Sequence, residues 1–318
     1  MSAPILVAGE ALYDLVPTAD GRLDGHPGGG AFNTARTIGR LGQPVSFLGR
    51  ISTDGLGSTL AGILAADGVD LASGVRTGDP TTLALAQLDP DGAASYRFYE
   101  TGTSVPGLTT VDALRRLPEE VAMLHVGTLG LMLDPVGAAL EAVVEALADR
   151  TLVAVDPNCR PGMIDDEDAY RGRLRRVLGR SHLVKVSAED LAWLDPGAPP
   201  LSAARALLGA GPAVVLLTCG AEGAVALSAT AEARVAGPRV RVVDTIGAGD
   251  AFTGGFLAWW GSRGLGPDAL VRDDLVARAT EFAVAVAALT CERAGASPPS
   301  LAPGDGPLTP GRIGHPAG

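Results

Sequence analysis

Lysine is almost missing from this 318-residue sequence: Lys185 is the only one, against 24 arginines. A basic surplus is missing as well, since 36 acidic side chains face 25 basic ones and the formal charge is −11. That balance lacks the electrostatic footprint of a nucleic-acid-binding surface, so nucleic acid is not an expected partner. Any anionic ligand has to be held by a local site against the net field. Cysteine is scarce. Cys159, Cys219 and Cys291 are odd in number and widely spaced. They provide neither a disulfide framework nor a paired-cysteine metal site, which suits a reducing, cytoplasmic compartment. Four scattered histidines argue against a zinc centre. No apolar run approaches the roughly 20 residues that span a bilayer, the longest being 282–289, so no membrane partner is expected. Met1-Ser2-Ala3-Pro4 opens without the basic and apolar stretches of a signal peptide, and none is expected.

What the chain does have is apolar mass. Hydrophobic residues make up 47%, enough for a large core and against global disorder. At roughly 150 residues per domain the length suggests two domains, although one α/β domain of this size is common. Runs at 5–8, 45–48, 123–126, 152–155, 183–186 and 214–217 are mostly apolar at consecutive positions. That pattern suits strands buried on both faces of a parallel sheet. Helical stretches at 31–41, 58–66, 135–150 and 170–178 intervene. The alternation predicts a doubly wound α/β fold. One segment departs from it. Residues 81–88 and 93–99 flank Asp89-Pro90-Asp91-Gly92, whose Pro and Gly positions suit a type I turn, so a β-hairpin is predicted. With part of 10–27 it should form a small projecting sheet, of the kind that covers a ligand cleft. From Ser297 onward Pro and Gly dominate, and an irregular tail is predicted, its last ten or so residues mobile.

Two glycine motifs carry the chemistry. Asp244-Thr245-Ile246-Gly247-Ala248-Gly249-Asp250 follows a strand-like stretch at 239–243 and precedes an apolar helix at 251–260. Glycines there leave backbone N–H groups open, and the helix adds its positive end, a combination that binds phosphate or developing negative charge. An acid at Asp250 repels phosphate unless it works as a general base on a substrate hydroxyl. An N-capping aspartate after a Gly-rich turn is the equally good local reading. In Gly28-Gly29-Gly30-Ala31-Phe32-Asn33 the glycines allow close backbone approach, and Asn33 offers a donor and an acceptor, as a polyhydroxylated ligand needs. Taken alone, a flexible loop and helix cap explain it better. GxxxxGK[ST] is absent, and Gly9-Glu10-Ala11 follows the first strand where a GxGxxG dinucleotide fingerprint would stand, which weighs against a dehydrogenase.

Together, Gly29-Gly30-Ala31-Phe32-Asn33-Thr34-Ala35 and Asp244 to Asp250 resemble, in order and spacing, the two signatures of the ribokinase-like carbohydrate kinases of the phosphofructokinase-B type. The likeness runs from residue 7 to about 299, nearly the whole chain. It implies an ATP-dependent sugar kinase with a three-layer α/β/α domain, a mostly parallel central sheet and a β-sheet lid. The expected division is a core of 1–9, 28–80 and 105–300, a lid of 10–27 and 81–104, and a tail of 301–318. By the resemblance Asp250 is the base, and Gly247, Ala248 and Gly249 form the anion hole. Asp14, Gly29, Gly30 and Asn33 hold sugar. Val184-Lys185-Val186-Ser187-Ala188-Glu189-Asp190 resembles the family's Asn-x-x-Glu region, with Ser187 for Asn and the shorter Asp190 for Glu, implying Mg²⁺ held through water. Lys185, at a strand end on the ligand side, is a candidate for the phosphates, or equally a strand-edge lysine. Thr218, Gly220 and Gly223 resemble the nucleotide loop, Ala288 and Cys291 the adenine wall, and Asp244 and Ile246 a K⁺ site. Gly9-Glu10-Ala11-Leu12-Tyr13-Asp14-Leu15-Val16-Pro17, Tyr96-Arg97-Phe98-Tyr99, Asp156-Pro157-Asn158-Cys159-Arg160-Pro161 and residues 185–191 resemble bacterial fructokinases. Arg97 and Tyr99 share one face of the lid strand, opposite Tyr96 and Phe98, and either face could cover the sugar; the resemblance assigns Arg97, Tyr99 and Arg160 to it. Arg160 also suits a carboxylate, which keeps 2-keto-3-deoxygluconate kinase open as the alternative. A sugar- or nucleotide-sensing relative on the same fold is the non-enzyme alternative. Lids in this family often pair between subunits, so a homodimer is compatible with the resemblance.

Overall fold

The structure, a computed structural model, describes residues 3–18, 20–88, 94–302 and 307–314. A nine-stranded sheet forms its centre. From edge to edge the strands are β15 (Glu232–Ala236), β14 (Gly223–Ser228), β13 (Val214–Thr218), β12 (Leu183–Ser187), β11 (Leu152–Asp156), β10 (Met123–Gly127), β1 (Ile5–Ala8), β4 (Val45–Leu48) and β6 (Val69–Asp70). All neighbours are parallel except β13 with β14 and β14 with β15. Consecutive apolar residues make these strands because both faces are covered. In β1, Ile5 and Val7 enter one core while Leu6 and Ala8 enter the other.

Helices α1 (Gly30–Arg40), α2 (Gly55–Ala66), α9 (Ala248–Gly261) and α10 (Asp273–Thr290) pack on the first face. On the second lie α3 (Thr110–Arg115), α4 (Leu129–Met132), α5 (Val136–Leu147), α6 (Glu167–Leu178), α7 (Ala188–Leu194) and α8 (Pro200–Leu207). This is the three-layer arrangement that the alternation predicts. Among the described residues no helix is long and apolar enough to cross a membrane.

A four-stranded sheet stands apart, ordered β3 (Leu23–Gly28), β2 (Leu12–Pro17), β8 (Leu83–Leu88), β9 (Ala94–Tyr99). Its hairpin β8–β9 pairs Leu83 with Tyr99 and Ala84 with Phe98. The expected turn at Asp89 to Gly92 lies outside the described residues. Two small ladders complete the strands, β5 (Arg50–Ser52) with β7 (Val75–Thr77), and β16 (Ser300–Leu301) with β17 (Ile313–Gly314).

Three expectations need correction. The stretch 239–243 is not a strand: it runs irregularly, and its end is tied by the Val243 N–H donating to the Cys291 carbonyl at 2.8 Å. The sheet extends instead through β14 and β15, whose small or half-exposed residues give no long apolar run. The tail is not uniformly irregular, because β17 returns to β16 and buries Leu308 and Ile313 in the core. Finally, α9 begins at Ala248 rather than 251, capped by Gly247 at φ 74.

The parallel strands position the site. β1 lies between β4 and β10, so the chain leaves it toward opposite sides of the sheet. A cleft opens outside the carboxyl ends of such strands. The lid sheet begins at Leu12, directly beyond β1, and overhangs that cleft.

Candidate active site

The cleft floor is built from strand ends and two helix starts. It encloses about 260 Å³ between the core and the lid sheet. Gly29 adopts φ 108, and a Cβ there would sit 2.9 Å from the Glu10 carbonyl, so only glycine lets α1 start so close to β1. One turn later, Asn33 Nδ2 donates to Asp250 Oδ2 at 2.9 Å. Asn33 Oδ1 is buried and unpartnered, an acceptor left for a ligand. Gly247 takes the left-handed conformation ahead of α9, where a Cβ would collide with Ala296 Cβ at 2.5 Å. The Ala248 N–H is already given to the Thr245 carbonyl at 3.2 Å. Gly247 and Gly249, which line the cleft, are therefore better placed than Ala248 to offer N–H groups.

Several charged groups converge there. Burial pushes Asp250 up to about 6, against the pull of Asn33, Lys185 and Arg160, while Glu10 adds to the rise. Lys185 Nζ lies 3.0 Å from Asp156 Oδ2. Burial alone would lower this ammonium, but Asp156, Asp190 and Asp250 outweigh it and raise it. Burial likewise lifts Asp156 to about 6 against Lys185, so the pair is charged at neutral pH. A Cβ on Gly249 would meet Lys185 Nζ at 3.0 Å, which puts the sole lysine beside the Gly247–Gly249 turn. From the lid, Asp14 on β2 faces the same space, raised to about 6 by burial first and by Asp250 second, with Arg160 opposing. Arg160 Nη1 donates to the carbonyls of Asn158 and Cys159, which holds its guanidinium at the rim. Asn158 and Thr128, both non-glycine residues with positive φ, also line the cleft, and Asn158 Nδ2 donates to Thr128 Oγ1 at 3.4 Å. Strained backbone of this kind clusters at functional sites.

The comparisons decide the family. The model of the pfkB family carbohydrate kinases matches residues 3–303. The chain belongs to that family. It is 39% identical over 258 residues to a fructokinase of Rhizobium leguminosarum bv. trifolii, covering 80% of this chain and 78% of that one. With an Escherichia coli fructokinase it shares 32% over 279 residues, 84% and 88% of the two chains. Xylella fastidiosa fructokinase with bound ATP superposes with a TM-score of 0.84 at 27% identity, over 92% and 93% of the chains. Vibrio cholerae O395 fructokinase bound to fructose, ADP and calcium gives 0.82 at 25%, over 92% and 94%. This pfkB family member is thus a sugar phosphotransferase on a ribokinase-like fold.

Within the family frame, the fold brings Asp14, Gly29, Gly30, Asn33, Arg160, Lys185, Ile246, Gly247, Gly249 and Asp250 to one cleft. One assignment is corrected. Tyr96 and Phe98, not Arg97 and Tyr99, line it; the pleat sends alternate residues to opposite faces, and the other pair falls on the far side. Asp190, implied to reach Mg²⁺ only through water, is held in place by the protein. Its Oδ1 accepts the Cys159 N–H at 2.7 Å, and its Oδ2 accepts the Ser187 N–H and Oγ–H at 2.8 and 2.9 Å, forming a capping box on α7. Ser187 is occupied in the same box.

The remaining predicted residues are not among those lining the cleft. Thr218 pairs in register with Ser187, and its Oγ1 donates to the Val186 carbonyl. Gly220 follows at φ 56. Gly223, at φ 100, has a packing reason of its own, since a Cβ would sit 2.0 Å from the Val235 carbonyl. Ala288 is on the last turns of α10, and the Cys291 carbonyl just beyond accepts from Val243 and Asp244. Asp244 accepts the Ile246 and Gly295 N–H groups through its two oxygens, which fixes the loop before α9. Sequence reasoning passed over Glu10, Leu12, Thr128, Leu129 and Asn158 as site residues. Their signal was position, each lying just past the carboxyl end of a buried strand.

Proposed function

We propose that this protein is a cytoplasmic, ATP-dependent fructokinase that transfers the γ-phosphoryl group to the 6-hydroxyl of D-fructose. One observation carries the reading. Asp250 is largely buried in the first turn of α9, beside the Gly247–Gly249 amides and Lys185, and shares one cleft with Asp14 and Arg160. The fructokinases among its relatives point to the sugar.

Asp14 and Asn33 Oδ1 hold the sugar hydroxyls under Tyr96 and Phe98, with the Gly29–Gly30 turn beside them. Asp250 takes the proton of the acceptor hydroxyl as its oxygen forms a bond to the γ-phosphorus and the bond to the ADP oxygen breaks. The Gly247 and Gly249 amides and Lys185 stabilise the charge on the equatorial oxygens. Asp250 afterwards returns the proton to solvent. Magnesium would be carried on the nucleotide, and Asp190, whose oxygens already accept protein N–H and O–H groups, would reach it through water. Bound there, it would neutralise phosphate charge, and no step above runs through it. A potassium ion at 244–246 would rest on backbone carbonyls, because the Asp244 carboxylate is occupied. Leu23 and Tyr99 leave about half their surface exposed on the lid, which supports lid-to-lid pairing of two copies.

The presence of Arg160 at the cleft favours one second reading, a 2-keto-3-deoxygluconate kinase, in which it meets the carboxylate. An assay of ADP release over D-fructose, D-ribose and 2-keto-3-deoxygluconate separates the two. Fructose should lead by about tenfold or more in kcat/KM, and Asp250→Asn should lose roughly a thousandfold in kcat while binding both substrates. Near-normal turnover in that variant removes Asp250 from the role. No ADP release with any sugar sinks the enzyme reading.

A further inference from the structure

Glu10 is fully buried immediately after β1, and its partners are backbone amides. Oε1 accepts the Gly30 N–H at 2.7 Å, and Oε2 accepts the Gly130 N–H at 3.2 Å. These two glycines are 100 residues apart in sequence and open the segments on either side of the cleft. Gly130 follows Thr128, whose backbone is strained at φ 50. Gly30 adjoins Gly29, whose carbonyl accepts the Asn33 N–H at 2.9 Å, and Asn33 in turn grips Asp250. A single side chain therefore joins the strained turn after β10, the sugar-side glycines and, through Asn33, the base.

We propose that Glu10 is a positioning residue for phosphoryl transfer, a carboxylate clasp that holds the Gly29–Gly30 turn against the Thr128–Gly130 turn and so sets the sugar's place relative to Asp250. The inference rests on the kinase reading above. Both Glu10 oxygens accept N–H groups, an arrangement that favours the anion over the acid. Burial raises its pKa, and the four surrounding amide contacts oppose that rise. A buried anion held in this way also acts on Asp250. The other groups facing Asp250 are Asn33 from α1, Lys185 from β12, Arg160 and Asp156 from the end of β11, and Asp14 from β2.

Two substitutions separate reach from charge. Glu10→Asp keeps the anion and withdraws it by one methylene; Glu10→Gln keeps the reach and turns one acceptor into a donor. Fructose affinity, measured by calorimetry without turnover, should fall about tenfold or more in both, with the ATP KM held within about twofold. Only Glu10→Gln should move the acid limb of the kcat/KM profile, downward by about half a unit or more, since only it removes the negative charge beside Asp250. Wild-type fructose affinity and an unmoved limb in both variants overturn the proposal. Failure of Asp250→Asn to lose turnover would overturn the base assignment instead, because fructose affinity in the Glu10 variants is read without catalysis. Should neither variant fold, amide hydrogen exchange in the unmodified protein decides: the Gly30 and Gly130 N–H groups should be strongly protected, and exchange at open-loop rates refutes the clasp.

Discussion

Replacing Asp250 by Asn should silence the protein and stabilise it. Burial holds this carboxyl near 6 where the unfolded chain holds it at 3.8. The folded state therefore keeps the proton to higher pH than the unfolded state, and wild-type stability falls as pH rises through that window. Asn mimics the protonated form at every pH, and its Oδ1 still accepts from Asn33 Nδ2. A rise of about two units at about 1.36 kcal/mol each makes the variant more stable by about 3 kcal/mol at pH 8. At pH 5, where the unfolded-state carboxyl is ionised and the folded-state one mostly protonated, the gain is about 1.5 kcal/mol. For a chain of this size, about 3 kcal/mol corresponds to a Tm increase on the order of 5 °C. Urea unfolding of both proteins at pH 5, 6, 7 and 8 reads the difference, and neighbouring carboxyls common to both largely cancel. A stability gap that is absent, or that does not widen between pH 5 and 8, refutes the claim that the native fold strains to keep this charge.

The lid face can be tested by comparing Phe98→Ala with Arg97→Ala. The first should raise the fructose KM about tenfold and leave the ATP KM in place, and the second should change neither; the reverse pattern would return the sugar to the other face of β9. Lys185→Met should lower kcat by about a hundredfold or more. It should also cost about 3 kcal/mol of stability, because Asp156 is left buried without its counter-ion. Adding Asp156→Asn to that variant should recover most of the stability by chemical denaturation and none of the turnover. Recovery of turnover would mean that the lysine acts only by neutralising Asp156.

Much of the core could be read from the sequence because parallel strands sheathed on both faces leave a crude signal, several apolar residues in a row. The six runs found this way all lie in the nine-stranded sheet, and most end within a residue of the observed strands. β14 and β15 escaped because one is built from small residues and the other lies half exposed at the edge. The glycine motifs marked the cleft because close backbone approach demands glycine at fixed positions, as at Gly29 and Gly247, where a Cβ would meet Glu10 and Ala296. Alternation in β9 revealed that Tyr96 and Phe98 oppose Arg97 and Tyr99. It cannot say which pair looks inward, since that depends on how the lid sheet twists over the core. Asp190 was half legible for a related reason. Spacing from Ser187 is the same for a capping box as for a metal-binding pair, and only the partners of its oxygens show the box. Glu10 stood in a quoted motif, yet its two amide partners lie 20 and 120 residues away, beyond any local pattern.

Asp14 is carried by the cover and Asp250 by the body, so shutting the empty cleft drives two anions toward each other through a medium poor in water. Sugar hydroxyls arriving between them replace that repulsion with two sets of donors. Any closer approach of the two carboxylates would therefore be opposed unless a polyol donates hydroxyls to both.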